Sequence, residues 1–137
     1  MFRYLICALF LLIIGTVTAQ ENIEKIAERL AQEQLDAYNN RDIEAFVIPY
    51  ADDVKVFNFP DQLLYQGRDE MYGLYGRMFS RTPDLHCKLV NRMVMGNTVI
   101  DQEEVTISKE EPPIKAIAIY KIKEGKIAEV YFIRDGQ

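Results

Sequence analysis

Residues 85–134 read LHCKLVNRMVM, GN, TVIDQEEVTISK, EEPP, IKAIAIYKIK, EG, KIAEVYFIR. Four strand-like stretches, Leu85–Met95, Thr98–Lys109, Ile114–Lys123 and Lys126–Arg134, are divided by Gly96-Asn97, Glu111-Pro112-Pro113 and Glu124-Gly125. Two-residue pairs of this kind join adjacent strands as hairpins. The stretch therefore predicts an antiparallel meander, and such a sheet needs something apolar to cover one of its faces.

The cover lies upstream. Ile23, Ile26, Ala27, Leu30, Ala31, Gln34, Leu35 and Tyr38 recur at three and four spacing, which is one stripe of a long amphipathic helix. Gln34 is the polar exception on that stripe. Asn39-Asn40 ends the helix, Asp42 caps a short second one through Val47, and Pro49 stops it. Asp53 to Phe59 alternates as a strand, with Val54, Val56 and Asn58 on one face. Gly67-Arg68-Asp69 opens a third helix carrying Met71, Leu74, Tyr75, Met78 and Phe79, broken by Thr82-Pro83-Asp84. The predicted class is α+β, an antiparallel sheet with one face covered by the long helix.

The N-terminus reads differently. Arg3 precedes an apolar run from Tyr4 to Ile14, and Val17-Thr18-Ala19 supplies a cleavage motif, so residues 1–19 are expected to be a secretory signal peptide and residues 20–137 a single domain. The run falls short of the roughly 20 residues that span a bilayer. Export is expected, to the periplasm or beyond, with no stable membrane anchor after cleavage. The chain of 137 residues carries 16 basic and 21 acidic side chains; without Arg3 the balance is 15 against 21. An acidic chain is a poor partner for nucleic acid. The segment also takes Cys7, leaving Cys87 as the one thiol beside the one histidine, His86. Disulfides, His-based metal sites and Ser-His-Asp triads are thereby set aside, and no Gly-rich phosphate loop is present. No cofactor or metal is expected.

Several phrases carry a resemblance. Tyr38-Asn39-Asn40-Arg41-Asp42-Ile43-Glu44-Ala45-Phe46, Tyr50-Ala51-Asp52-Asp53-Val54-Lys55-Val56, Gly67-Arg68-Asp69-Glu70, Pro83-Asp84-Leu85, Asn91-Arg92, Gly96-Asn97-Thr98-Val99 and Gly125-Lys126-Ile127 occur in order. In order and spacing they resemble the nuclear transport factor 2-like superfamily, in particular its SnoaL-like and ketosteroid-isomerase-like small proteins. The resemblance implies a cone-shaped fold, three N-terminal helices packed on a curved antiparallel sheet, with an apolar pocket at its open end holding a small apolar molecule. It also implies a homodimer through the convex sheet face. Members include enzymes and non-catalytic proteins, so the fold leaves the function open.

The resemblance also tests the site. The steroid-isomerase base falls at Asn58, which cannot take a proton at neutral pH; the tyrosine donor falls at Gln34 and the aspartate donor near Ala118. In the epoxide-hydrolase comparison, the arginine becomes Glu104 and the two aspartates become Thr106 and Phe132. Neither mechanism transfers. Alternation divides the second hairpin strand into Val99, Asp101, Glu103, Val105 and Ile107 on one face, and Ile100, Gln102, Glu104, Thr106 and Ser108 on the other. The pattern buries the first face; the resemblance favours the second as pocket-facing. Following the resemblance, Glu104 is the expected acid–base group, with Gln34, Tyr38, Asn58, Gln102, Thr106, Phe132 and Arg134 around the ligand. The competing expectation pairs Glu104 with Arg134 as a structural ion pair. Tyr65, Tyr75, Tyr120, Tyr131, Met78, Met93 and Met95 are expected in core and pocket walls, Asp61 in a solvated loop, and Lys115, Lys121, Lys123 and Lys126 along a solvated sheet edge. The expected function is an exported small-molecule pocket protein, acting as a cofactor-independent acid–base enzyme or as a non-catalytic binding or docking module.

Overall fold

The computed structural model describes residues 22–136, so the expected signal peptide lies outside the described residues. Helix α1 (22–40) presents Ala27, Leu30, Ala31, Gln34 and Leu35 as its buried stripe. Its end is tied to the sheet by Asn39, which donates to the Cys87 carbonyl (2.9 Å) and accepts from the Cys87 N–H (2.8 Å). A side chain here imitates a strand partner, which fixes where the helix crosses. Arg41 takes a left-handed φ of 52° just past the helix, and Asp42 then caps α2 (Ile43–Val47) by accepting from Ala45 N–H at 3.0 Å.

The chain enters β1 at Tyr50 (Tyr50–Asn58), turns into β2 (Gln62–Gln66), and crosses through α3 (Arg68–Arg81) to the meander β3 (His86–Met95), β4 (Thr98–Thr106), β5 (Ile114–Lys123) and β6 (Lys126–Arg134). The open, curved sheet has the order β2-β1-β6-β5-β4-β3. Four pairings are antiparallel, but β1 joins β6 in parallel, so the sheet is mixed. The reason is topological: α3 carries the chain across before the meander returns β6 beside β1. Strand β2 escaped the sequence reading because its residues are largely exposed and carry little alternation. At the Glu124-Gly125 turn both residues have positive φ (52° and 74°), the geometry that glycine permits in a tight hairpin.

The sheet order corrects two expectations. Strands β5 and β6 are central, so the lysine cluster does not guard an edge; the edges are β2 and β3. Met93 and Met95 are exposed (57% and 79%), and Tyr131 stacks outward on Phe57 with ring centroids 4.8 Å apart. These three are not pocket walls. The core lies between the sheet's inner face and the helices, where Phe46 meets Tyr38, Tyr50, Tyr75 and Phe79 at centroid distances of 4.5–6.1 Å. Tilted and edge-on contacts of this type add to burial and hold the rings in place.

Candidate functional site

A cavity of about 490 Å³ opens between α1, α3 and the inner face of the sheet. That volume lies in the range of small-molecule sites. Strand β5 turns a small side chain toward this space: Ala116 is buried on its wall and fills little of it. Around it stand aromatic and aliphatic groups, among them Tyr38, Phe46, Tyr75, Met78 and Phe132.

Among the described residues, the carboxylate that lines this space is Glu103. Strand β4 buries Val99, Asp101 and Glu103 (0%, 0% and 5% exposed), whereas Gln102 is exposed and Glu104 is half-buried on the opposite face. The expectation of an inward Glu104 is therefore corrected by one residue. Glu104 points outward and pairs with Lys88 at 3.6 Å. Gln102 and Thr106 share its face and do not line the cavity. Arg134 lines the cavity but meets neither glutamate as an ion pair; its guanidinium lies 5.4 Å from the Phe132 ring centroid.

The physical reason for the face is the supply of partners. A buried carboxylate is tolerated only where hydrogen bonds or opposite charge replace water. Asp101 accepts two 2.7 Å bonds from Arg92, which also donates to Gln32 on α1 at 2.9 Å. Glu103 is reached by a directional chain. Tyr50 donates to Gln34 Oε1 (3.1 Å), Gln34 Nε2 donates to Tyr120 Oη (3.0 Å), and Tyr120 donates to Glu103 Oε1 (3.4 Å). Gln34 also donates to the Ala31 carbonyl at 3.0 Å. Its polar place on the buried stripe is thus fully used: it orients Tyr120 toward the carboxylate.

Glu103 is pushed up to about 7, chiefly by burial and then by the neighbouring Asp101 charge; Cys87, Tyr120 and Arg92 act in the opposite direction. A carboxyl group at that value is both donor and acceptor of protons near neutral pH. Burial likewise pushes the Tyr38, Tyr50 and Tyr120 phenols and the Cys87 thiol up, so these remain neutral donors. Cys87 lines the cavity as a protonated thiol.

Of the other expected site residues, Gln34, Tyr38 and Phe132 line the cavity. Asn58 does not line it. It donates to Gln62 Oε1 at 3.0 Å, and its Oδ1 is buried without a hydrogen bond. Asp61 is exposed. Tyr65, Tyr75, Tyr120 and Met78 are walls. The Tyr65 hydroxyl adjoins Tyr75, but it is buried without a hydrogen bond of good geometry. Glu103 is the residue that sequence reasoning passed over. Alternation with Val99 and Val105 was its signal. Among the described residues, no group of three or more His, Cys, Asp or Glu is arranged to hold a metal ion.

A model of the SnoaL-like domain family matches residues 31–130. Among solved structures, an uncharacterized cystatin fold protein from Novosphingobium aromaticivorans is 24% identical with a TM-score of 0.72, covering 79% of this chain and 97% of its own. A SnoaL-like protein of unknown function from Burkholderia thailandensis is 16% identical, with a TM-score of 0.70 and coverages of 82% and 97%. An epoxide hydrolase of M. tuberculosis, described as LEH-like, is 18% identical, with a TM-score of 0.70 and coverages of 82% and 84%. No curated protein sequence matches.

Proposed function

The chain belongs to the SnoaL-like domain family, and we propose that it is an acid–base enzyme that binds a small, largely apolar molecule in its cavity, with Glu103 as the proton-transferring group. The observation that carries this reading is a buried carboxyl, hydrogen-bonded by Tyr120, on the wall of a cavity of about 490 Å³; burial and the nearby Asp101 push it up to about 7. Apolar walls alone would disfavour its ionised form; the chain from Tyr50 through Gln34 and Tyr120 gives that form a donor. The carboxylate takes a proton from bound water or from an acidic C–H of the ligand, and the carboxylic acid returns it. Tyr120, itself held by the Gln34 amide, keeps the carboxyl in place while its charge changes. The LEH-like neighbour makes ring opening of an epoxide one candidate reaction, and proton transfer beside a carbonyl is the other.

The test is turnover of a panel of apolar epoxides and β,γ-unsaturated ketones by wild type, Glu103→Gln and Glu104→Gln. Glu103→Gln is expected to lower kcat/KM by about a hundredfold or more, and Glu104→Gln to leave it unchanged. Equal turnover by wild type and Glu103→Gln removes Glu103 from the chemistry. Tight binding of panel members without turnover leaves a ligand-binding protein, the second reading.

The reading extends to a homodimer. Leu63, Phe57, Tyr131, Ile119, Ile100 and Met93 are successive cross-strand partners on the outer face, an apolar row crossing all six strands. Covering such a row with a second copy removes it from water. Sedimentation equilibrium of Ile119→Glu, expected to be monomeric, tests this. Export of residues 20–137 after cleavage at Ala19 completes the proposal, supported by the Met1–Ala19 layout; N-terminal sequencing of the secreted form checks it.

A further inference from the structure

Glu103, Ala116 and Arg134 stand in one row. Glu103 pairs with Ala116 across β4 and β5, and Ala116 pairs with Arg134 across β5 and β6. All three line the cavity. Two strand steps of about 5 Å place the Cα atoms of the carboxyl and the guanidinium about 10 Å apart. Only the methyl of Ala116 lies between them. Had this residue been large, the row would be filled; as alanine, it leaves room for a ligand to lie across it.

The two ends of the row differ. Glu103 is 5% exposed and hydrogen-bonded by Tyr120. Arg134 is exposed, and among the described residues it has no acidic partner and no hydrogen bond; Arg134 is also the one Lys or Arg among the lining residues. Its Cζ lies over the Phe132 ring, 5.4 Å from the centroid, and a guanidinium placed over a ring rather than against a carboxylate keeps its N–H donors available. Those donors match a carboxylate in two parallel bonds. Arg134 acts electrostatically on the Tyr38 and Tyr75 phenols, so its charge is felt inside the cavity and not only at the surface.

We infer that the natural ligand is an acid: a molecule with an apolar body lying over Ala116, a carboxylate docked on Arg134, and its reacting carbonyl, hydroxyl or epoxide end at Glu103. This rests on the pocket reading above and adds the charge and polarity of the ligand. It also gives the ligand one direction in the cavity, because the reverse orientation sets its carboxylate against Glu103 while leaving Arg134 unpaired.

The experiment is isothermal titration of the whole chain at pH 7.5 with three probes of one shape: 4-phenylbenzoate, 4-phenylbenzamide and (4-phenylbenzyl)trimethylammonium. Wild type is expected to bind the acid most tightly. Arg134→Gln is expected to weaken the acid about tenfold while changing the amide less than about twofold, and Arg134→Lys to restore part of the loss. Ala116→Phe is expected to abolish binding of every probe, with circular dichroism reporting that it remains folded. Equal binding of acid, amide and ammonium, all lost in Ala116→Phe, overturns the acid inference and leaves the pocket reading standing. Preference for the ammonium overturns it as well, since Glu103 and the tyrosines would then be the recognition element. Binding of no probe, or binding untouched by Ala116→Phe, counts against both.

Discussion

Glu103 and Glu104 are adjacent on β4 and share the same side-chain chemistry, yet one is 5% exposed beside a cavity and the other pairs outward with Lys88 at 3.6 Å. The same division runs along the strand. Its inner face carries two carboxylates, Asp101 and Glu103, among valines; its outer face carries Ile100, Gln102 and Glu104. Hydrophobicity alone does not separate these faces. What separates them is the presence of Arg92, Gln32, Tyr120 and Gln34 on the inner side, brought by three other elements. A charge is buried where other elements supply its hydrogen bonds.

The comparison is broken most severely at Asp101. Removing this group leaves Arg92 buried without its bidentate partner, so Asp101→Ala is expected to cost about 3–5 kcal/mol in urea unfolding. A loss below about 1 kcal/mol shows that water solvates Arg92 and that the inner face is not dry. Next comes pH. Glu103 is raised above its ordinary value of 4.5 to about 7 while surrounded by Asp101, Arg92, Tyr120 and Cys87, so the folded protein binds the extra proton. Its contribution to stability is fully present below pH 4.5 and is lost as pH rises to about 7, roughly 3 kcal/mol in all. Urea unfolding from pH 5 to 8 is expected to show this decline in wild type and not in Glu103→Gln; parallel curves sink the idea.

A smaller effect sharpens the same point. Tyr120→Phe removes the donor to Glu103 and the acceptor of Gln34 Nε2, costing about 1–2 kcal/mol. It also raises the Glu103 pKa further, because the ionised form loses a hydrogen bond. Carbon-detected NMR titration of Glu103 reads that shift, and an unchanged midpoint removes Tyr120 from the site. The smallest effect belongs to Glu104. Glu104→Gln breaks an exposed pair with Lys88 and is expected to change stability by less than about 0.5 kcal/mol at any pH between 5 and 8.

Part of this site is legible in the sequence alone. Counting back from Gly96-Asn97 pairs Met95 with Thr98 and therefore Arg92 with Asp101, so a buried ion pair on that face was within reach of hairpin arithmetic. The valines at 99 and 105 pointed the same way. The family resemblance pointed the other way, because one residue of slip in a strand exchanges its two faces. Gln34 announced itself as a polar residue on an apolar stripe, but its meaning lay in Tyr50 and Tyr120, 16 and 86 residues away.

Periodicity, caps and turns determined the helices, the four-strand meander and the α+β class, because these depend on contacts within a few residues. Asp42, Pro49, Glu124-Gly125 and the stripe of α1 each act locally. The parallel join of β1 to β6 and the row from Glu103 through Ala116 to Arg134 depend on which strands become neighbours. That choice is made by burying the helices against the sheet. Glu103 acquires its proton affinity there and nowhere earlier, from loss of water and the nearness of Asp101.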